Sequence, residues 1–260
     1  MPPRHHRTVD RVHEILEHVA REQDGLSLQV LATVMGVPKS SLQSLVYGMV
    51  ATGLLVESSK RYFLGPALFV LTLSVTPFSA DFLSPRDVER MSEKVGLSLS
   101  LAIQMGDSYV SIMHAGDHPT MEYVTLSHRR RPLLNTATGK TILANMDPVE
   151  MHHHLVVASR VDQVAVDEFL GELQAIRESG LAFNYNRSIP GVYAVATGVY
   201  EPNGRFAAAL CAIGDADCEH RLDDIGRQLQ EELVRREKGR PVAPLPALAP
   251  TGGAEVKVPT

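Results

Sequence analysis

The chain has 260 residues, which is room for two domains and an ample hydrophobic core in at least one of them. Its 44% hydrophobic and 21% charged residues are ordinary for a globular protein, and its net charge of −5 excludes a strongly basic nucleic-acid-binding protein. Because the chain has only two cysteines, no apolar signal-peptide core and no run of about 20 apolar residues, we expect a cytoplasmic protein without a membrane partner.

The first third of the chain predicts three short helices. Apolar spacing indicates a helix over residues 8–22 and a second that begins at the N-cap Ser27. Gly36 supplies a stop, and Pro38 suits the first turn of a third helix because its missing N–H would be unpaired there. Gly53 then ends this third helix.

A short β-hairpin is predicted to follow the third helix. Residues 54–56 and 62–64 are apolar strands, and the tip between them, residues 58–61, is polar and cationic. Three helices and a hairpin with a basic tip form a winged helix-turn-helix.

The third helix carries two opposed stripes. Its buried stripe comprises Leu42, Leu45, Val46, Met49 and Val50, at the spacing of one helical face. The other stripe carries hydroxyl and amide side chains in place of the usual Glu and Lys. Such side chains can approach a surface closely and exchange directed hydrogen bonds, so this helix is predicted to be a recognition helix.

The recognition helix predicts specific contacts with double-stranded DNA. Gln43 can pair with an adenine edge, and Lys39 can reach guanine or a phosphate. The serines and Tyr47 are expected to bind phosphates, with the wing against the flanking backbone or minor groove. A winged helix used only for protein assembly stays as the alternative. The candidate DNA-binding residues are Arg7, Lys39, Ser40, Ser41, Gln43, Ser44, Tyr47, Lys60 and Arg61.

The remainder of the chain predicts an α+β domain with an antiparallel sheet. Apolar alternation marks strands at 97–105, 109–114, 121–126, 192–200 and 205–213. Helices are expected at 80–95, 137–145, 148–157 and 167–179, with a last one from about Leu222. The predicted organisation is therefore a winged helix-turn-helix over 1–65, a linker helix over 66–80, a second domain over 81–238 and a disordered tail over 239–260.

The sequence of the winged helix resembles the DNA-binding half of the IclR family of bacterial transcriptional regulators. The family's Gly-Leu-Pro-Lys-Ser-Thr turn, its Gly-Leu-Leu and its Leu-Gly pair correspond to residues 36–41, 53–55 and 64–65. Downstream, 132–146 is similar to the family's Pro-Leu-His-Ala-Thr-Ala-x-Gly-Lys block, and 191–214 has the layout of its last two strands. These blocks, in this order, extend the resemblance over about residues 8–237.

The resemblance implies a GAF-like effector domain that binds a small molecule. Gly139-Lys140-Thr141 lacks the earlier glycine of a phosphate loop, and in the family this segment lies at the mouth of the ligand pocket. Departures from the family pattern imply a less polar, less acidic pocket, and hence a ligand larger and more apolar than glyoxylate or pyruvate. The candidate effector-binding residues are Met121, Tyr123, Ala137, Thr138, Gly139, Asn184, Ala194, Cys211 and Ile213.

Other reactive residues predict no further site. The consecutive histidines at 152–154 point about 100° apart on a helix, so they indicate a solvated face. Cys211 and Cys218 lack a CxxC spacing, and the arginines at 129–131 are interpreted as solvated charge, with anion binding as the alternative. No GxSxG or HExxH motif is present, so no catalytic residue, metal or cofactor is expected, and an enzyme of unknown chemistry stays a lesser alternative.

The predicted function is a DNA-binding transcriptional regulator whose operator affinity is modulated by a small-molecule effector. A homodimer or a dimer of dimers would place two recognition helices on palindromic half-sites about one turn apart. The effector, the operator sequence and the sign of the response stay open at this point.

Overall fold

The computed structural model describes residues 6–73, 83–120 and 129–239. Its N-terminal part contains three helices and a two-stranded hairpin, which confirms the predicted order of elements. These elements are α1 (Arg7–Arg21), α2 (Leu28–Val34), α3 (Lys39–Ala51), β1 (Leu55–Ser58) and β2 (Arg61–Leu64).

Local chemistry explains where the helices begin. The Ser27 side chain accepts a hydrogen bond from the Val30 N–H at 3.3 Å and caps α2 as predicted. Gly36 follows α2 with φ +62°, a conformation that glycine adopts without strain. Pro38 is the N-cap of α3, one position earlier than predicted.

The hairpin turn is tighter than predicted. Only Ser59 and Lys60 connect the strands, with φ values of 51° and 62°, which is the backbone of a type I′ turn. On the other side of β2, Leu26 and Tyr62 exchange two backbone hydrogen bonds of 2.8 and 3.1 Å. The wing is thereby joined to the segment that leads into α2.

A single hydrophobic cluster unites the three helices and the wing. Ile15 of α1, Leu31 of α2, Val46 of α3 and Leu55 of β1 are each fully buried in it. Leu42 and Met49 are buried beside them, and Leu45 and Val50 pack against the edge, so the predicted apolar stripe of α3 is confirmed.

Helix α4 (Pro66–Leu73) begins directly at the end of the wing. Gly65 lies so close to the chain ahead of the wing that a Cβ there would be 2.0 Å from the Gly53 carbonyl oxygen. Its N–H donates to the Leu54 carbonyl at 2.8 Å. The predicted linker helix is thus present over its first eight residues, and the rest of its range lies outside the described residues.

The second part of the chain is built on a six-stranded antiparallel sheet with strand order β5-β4-β3-β8-β7-β6. Helices cover both faces of this sheet. The strands are β3 (Ser98–Met105), β4 (Ser108–Ala115), β5 (Arg131–Pro132), β6 (Leu181–Tyr185), β7 (Tyr193–Tyr200) and β8 (Phe206–Gly214). The helices are α5 (Pro85–Val95), α6 (Ala137–Asn145), α7 (Pro148–Ser159), α8 (Gln163–Ser179) and, after a 3-10 turn at Ala216–Arg221, α9 (Leu222–Gly239).

The two faces of the sheet bury separate cores. Leu99, Leu101 and Leu210 point to the face covered by α5 and α9. Ala102 and Ala209 lie on the opposite face, under α6, α7 and α8. Successive residues of a strand point to opposite faces, so Ser100 and Cys211, which are register partners, share the second face.

Sequence reasoning missed two strands and misplaced the start of two helices. Strand β6 follows α8 after Gly180 (φ +71°) and has only five residues, too few for a clear alternation. Strand β5 has two residues. Helix α8 begins at Gln163, four residues earlier than predicted, and α5 begins at Pro85, five residues after the predicted start at 80. The predicted strand at 121–126 lies outside the described residues, as does the predicted tail beyond Gly239, the last residue of α9.

Within the described residues, none of the helices combines the length and apolar character needed to cross a membrane.

Candidate functional site

The outer face of α3 displays the predicted DNA-binding residues. Lys39, Ser40, Ser41, Gln43 and Ser44 are all exposed. Tyr47 is 51% exposed, and its hydroxyl accepts a hydrogen bond of 3.0 Å from the Gln43 amide. The pair is part of an exposed polar face, and α3 carries no carboxylate that would repel phosphate.

The two cations of the wing, Lys60 and Arg61, have different surroundings. Lys60 is exposed at the tip of the turn. Arg61 instead donates to the Gly25 carbonyl at 2.9 Å and to the Asp24 carbonyl at 3.4 Å. The predicted phosphate contact of Arg61 therefore competes with an internal role, since its guanidinium joins the wing to the turn between α1 and α2. Arg7 is exposed at the start of α1.

A second site lies where the start of α6 meets the sheet. A cavity of about 40 Å³ is lined by residues from β3, β4, β6, β7 and β8 and by the first turn of α6. Met121 and Tyr123 lie outside the described residues. The predicted effector-binding residues that line the cavity are Ala137, Thr138, Asn184, Ala194, Cys211 and Ile213.

Gly139 does not line this cavity. Its N–H donates to the Thr136 hydroxyl at 3.0 Å, which is the N-cap bond of α6. A Cβ at this position would lie 2.0 Å from the Leu133 carbonyl oxygen. Glycine is therefore needed for close packing here, and the predicted ligand contact of Gly139 is corrected to this structural role.

Lys140, the next residue, also has a structural role. It is 6% exposed, and its ammonium group donates to Glu172 of α8 at 2.6 Å and to the Phe183 carbonyl of β6 at 3.3 Å. The Gly-Lys-Thr segment therefore fixes α6 against α8 and β6, in agreement with the rejection of a phosphate loop.

Asn184 holds the loop beside the cavity. Its amide donates to the Asn135 carbonyl, and its side-chain oxygen accepts the Arg187 N–H at 3.0 Å. Asn135 has φ +68°, a left-handed conformation in the turn that leads into α6. Asn184 thus connects β6 with that turn.

Two buried serines line the cavity without protein partners. Ser100 of β3 and Ser111 of β4 are each 2% exposed. Within the described part of the chain, neither hydroxyl forms a hydrogen bond with another protein group. An unpaired buried hydroxyl costs about 1–3 kcal/mol, so these two groups point to a polar occupant.

Arg131 of β5 also faces the cavity. It is half-buried, and within the described residues its guanidinium has no hydrogen bond or ion pair. The interpretation of residues 129–131 as solvated charge is therefore wrong for Arg131. Sequence reasoning missed its role because a two-residue strand leaves no periodic signal.

Two groups that line the cavity, Tyr109 and Cys211, have raised pKa values. Burial raises the pKa of Tyr109, and the positive charge of Arg131 opposes that rise. Burial also raises the pKa of the Cys211 thiol to about 11, against a hydrogen bond with Thr138 and the charge of Arg131. Both groups are therefore neutral near pH 7.

The cavity is polar at one end and apolar at the other. Ala194, Ile213, Val192 and the partly buried Ile189 form the apolar wall. Among the described residues that line it there is no carboxylate. The expectation of a pocket less polar than the family pattern stays a prediction, and β3, β4 and β5 supply polar groups opposite the last strand. These are Ser100, Ser111 and Arg131.

A larger open groove of about 690 Å³ lies between α5 and the ends of β4 and β8. Its walls carry Glu89, Glu93, Asp117, Asp215 and Asp217, so it is acidic. Such a groove disfavours an anion, and the small cavity is the better candidate for an organic acid.

Comparison with known families identifies both parts of the chain. The family model for the C-terminal domain of the bacterial transcriptional regulator IclR matches residues 83–236, and the IclR helix-turn-helix domain matches residues 8–59. The chain belongs to the IclR family. It is therefore a DNA-binding transcriptional regulator with the α+β fold that its sequence predicted.

Individual relatives agree with this assignment. The HTH-type transcriptional regulator BhcR of Paracoccus denitrificans is 24% identical over 216 residues, which cover 80% of this chain and 77% of that protein. The crystal structure of an IclR regulator from Alicyclobacillus acidocaldarius shares the fold with a TM-score of 0.66, at 19% identity over 89% of this chain and 98% of that one. A regulator from a Silicibacter species gives 0.68, at 20% identity over 90% and 97%.

Proposed function

We propose that this IclR-family regulator reads its operator with the outer face of α3 and the tip of the wing. The observation that carries the proposal is the exposed face of α3, whose polar residues include no carboxylate. Gln43 supplies the base-reading amide, and Lys39 supplies a charge for guanine or phosphate. The serines at 40, 41 and 44 and the hydroxyl of Tyr47 fix the register on the backbone.

A homodimer or a dimer of dimers completes this proposal. A dimer with two-fold symmetry presents two copies of α3, so the operator is expected to contain palindromic half-sites about 34–36 Å apart. The chain has a net charge of −5, and Lys60 is an exposed cation at the wing tip. Affinity therefore depends on pairing two weakly charged modules.

The cavity beside α6 is proposed to bind the effector, an organic acid with an apolar or aromatic body. Ile189, Val192, Ala194 and Ile213 supply the apolar contacts that favour such a body. About 40 Å³ holds only a few atoms, so an aromatic body requires these walls to move apart. Binding would then be coupled to a change in protein conformation, which is what a regulatory switch requires.

Fluorescence anisotropy with DNA from the promoter region beside the protein's own gene tests the DNA-binding proposal. Specific binding should weaken steeply with added salt, and unlabelled promoter DNA should compete better than random DNA. Equal competition by both DNAs would refute operator recognition.

Calorimetry with glyoxylate, pyruvate and aromatic acids tests the ligand, and binding of the two short 2-oxo acids alone would refute the apolar body.

A further inference from the structure

A six-residue loop forms an outer wall of the proposed effector cavity. Residues 186–191 connect β6 to β7 without helix or strand structure, and they are called the gate loop below. Its inner residues, Ser188 and Ile189, are half-buried and line the cavity, whereas its other residues are exposed. Ile189 packs against the apolar cluster that contains Cys211. At this wall a single layer of chain therefore lies between the cavity and solvent.

We propose that the gate loop moves as one unit to open the cavity, and that the ion pair of Arg187 with Glu168 of α8 holds it closed. The inference deepens the proposed effector-binding function, on which it rests, because it names the wall that moves when the cavity of about 40 Å³ enlarges. Opening breaks this ion pair and lifts Ile189 from its apolar cluster.

Internal hydrogen bonds hold the gate loop together. The Asn186 N–H donates to the Val192 carbonyl at 3.1 Å, and the Val192 N–H donates to the Ile189 carbonyl at 3.1 Å. The Asn186 side chain also accepts the Gly191 N–H. These bonds close the base of the loop, as in compact surface loops that pack on themselves. They can persist while the loop moves, so the loop is expected to move as a body.

The gate loop has few polar attachments to the rest of the domain. Within the described residues, two side chains outside the loop make polar contacts with it, Glu168 and Asn184. The Arg187 side chain is 53% exposed and the Glu168 side chain is 33% exposed, so their ion pair is weak and screened by salt. A weak contact suits a latch, because the loop can then open while the domain stays folded.

The two ends of the gate loop have the backbone of a hinge. Asn186 has φ +58° and Gly191 has φ +82°, both in the left-handed region. Asparagine and glycine enter this region more easily than other residues, and changes of φ and ψ at a few such positions can move a whole loop. Beyond its chain neighbours, a Cβ on Gly191 would meet no described atom within 4 Å. The backbone conformation alone therefore favours glycine there.

The accessibility of Cys211 reports on the gate loop without any ligand. Cys211 is 3% exposed, and Cys218→Ala removes the other cysteine of the chain. In this background, the rate at which the full-length protein reacts with Ellman's reagent at pH 8 measures how often the Cys211 thiol becomes exposed. Movement of one loop costs less free energy than global unfolding, so opening of the gate loop should determine this rate.

Loss of the ion pair should speed the reaction. Arg187→Gln and Glu168→Gln should each raise the rate about 2- to 5-fold, the size expected for an exposed ion pair, and the double variant should be no faster than either. The matched control is Arg205→Gln, which breaks an ion pair with Glu201 at the opposite end of β7 and β8. This control should leave the rate unchanged.

Strain at the hinge should also speed the reaction. Gly191→Ala disfavours the left-handed backbone of the closed loop, so the rate should rise about 5-fold or more. Gly204→Ala is the matched control, because Gly204 has φ +81° and equally open surroundings in the turn between β7 and β8. Both variants should lower the melting temperature similarly, but only Gly191→Ala should speed the labelling of Cys211.

Two results would overturn the proposal. One is a wild-type labelling rate in both Arg187→Gln and Glu168→Gln. The other is equal acceleration by Gly191→Ala and Gly204→Ala, which would mean that Cys211 becomes exposed only by global unfolding. Far-UV circular dichroism confirms that each variant is folded. Because neither measurement uses a ligand or DNA, failure of the gate is distinguishable from failure of effector or operator binding.

Discussion

The guanidinium Nε of Arg130 lies 3.1 Å from the carboxylate Oε1 of Glu17. Glu17 belongs to α1 of the winged helix, whereas Arg130 directly precedes β5, whose Arg131 lines the cavity. Arg130 also contacts His13, one turn before Glu17 on the same helix. Two consecutive arginines therefore face the two halves of the proposed switch, one the DNA-binding module and the other the ligand site.

This ion pair should contribute little to the free energy of unfolding. We expect its main effect to be on the coupling between the ligand cavity and the DNA-binding module. The two side chains are about one-third exposed, so a double-mutant cycle with Glu17→Gln and Arg130→Gln should give a coupling of about 0.2–1 kcal/mol that falls with salt. We also expect Arg130→Gln to reduce the change in promoter affinity caused by whichever organic acid binds most tightly in calorimetry. Its ligand dissociation constant should match that of Arg160→Gln, a control at an exposed arginine directly after α7. If the change in promoter affinity on ligand binding is unchanged in both Glu17→Gln and Arg130→Gln, the ion pair does not couple the two sites.

Substitutions on the outer face of α3 should weaken operator binding without affecting the fold. Gln43→Ala removes the proposed base contact and should cost about 1–3 kcal/mol of binding, with relaxed sequence preference. Lys39→Ala should weaken binding to all sequences and reduce the salt slope by about one. Gln163→Ala, at an exposed glutamine on α8, is the matched control. Anisotropy titrations across salt concentrations check both, and wild-type affinity in both variants would contradict the assignment of α3.

The sequence predicted most of the winged helix because local signals agree there. Ser27, Gly36 and the alternating stripes of α3 each determine structure within a few residues. The same agreement predicted α6, whose bounds at 137 and 145 match the structure, and the hairpin of β7 and β8.

The polar end of the cavity could not be predicted in this way. Ser100 and Ser111 occupy ordinary positions in alternating strands, and they meet only because β3 and β4 pair across a register shift after Leu101. The position of Arg131 depends on a two-residue pairing with Ser108 and Tyr109. The internal bonds of Arg61 are equally non-local, since its carbonyl partners lie more than 30 residues earlier.

Two glycines in helical segments should respond in opposite ways to replacement by alanine. A Cβ on Gly139 would lie 2.0 Å from the Leu133 carbonyl oxygen, so Gly139→Ala should lower the free energy of unfolding by about 1–3 kcal/mol and weaken ligand binding. Gly171 in α8 is exposed, and beyond the backbone of its own helix and its two chain neighbours no described atom lies within 4 Å of such a Cβ. Gly171→Ala should raise stability by about 0.5–1 kcal/mol, because alanine favours the helix. Urea unfolding checks both, and equal effects would contradict this packing of α6.

Cys211 should be chemically inert in the folded protein. Burial raises the pKa of its thiol to about 11, so the reactive thiolate is scarce at pH 8. In a Cys218→Ala background, reaction with Ellman's reagent at pH 8 should be at least about 100-fold slower for the native protein than for the unfolded chain. Because the folded pKa is raised, the linked stability is present below the unfolded pKa and is lost as pH rises toward 11. Rapid labelling of the native protein would contradict the burial of Cys211.

The ionised carboxylate of Asp87 should stabilise the second domain, and the size of this contribution should depend on pH. Burial pushes the pKa of Asp87 upward, but hydrogen bonds with Ser84 and the charge of Arg236, 2.9 Å away, outweigh it and lower that pKa. Asp87 and Ser84 form a capping box at the start of α5, and Arg236 belongs to α9. Asp87→Asn should therefore lower the free energy of unfolding by about 1–2 kcal/mol at pH 7. Because the folded pKa is lowered, this contribution is present above the unfolded pKa of about 3.9 and is lost as pH falls through the folded value. Urea unfolding of both proteins between pH 7 and pH 3 should show the two stabilities converging, whereas a constant difference would contradict the role of the ionised carboxylate.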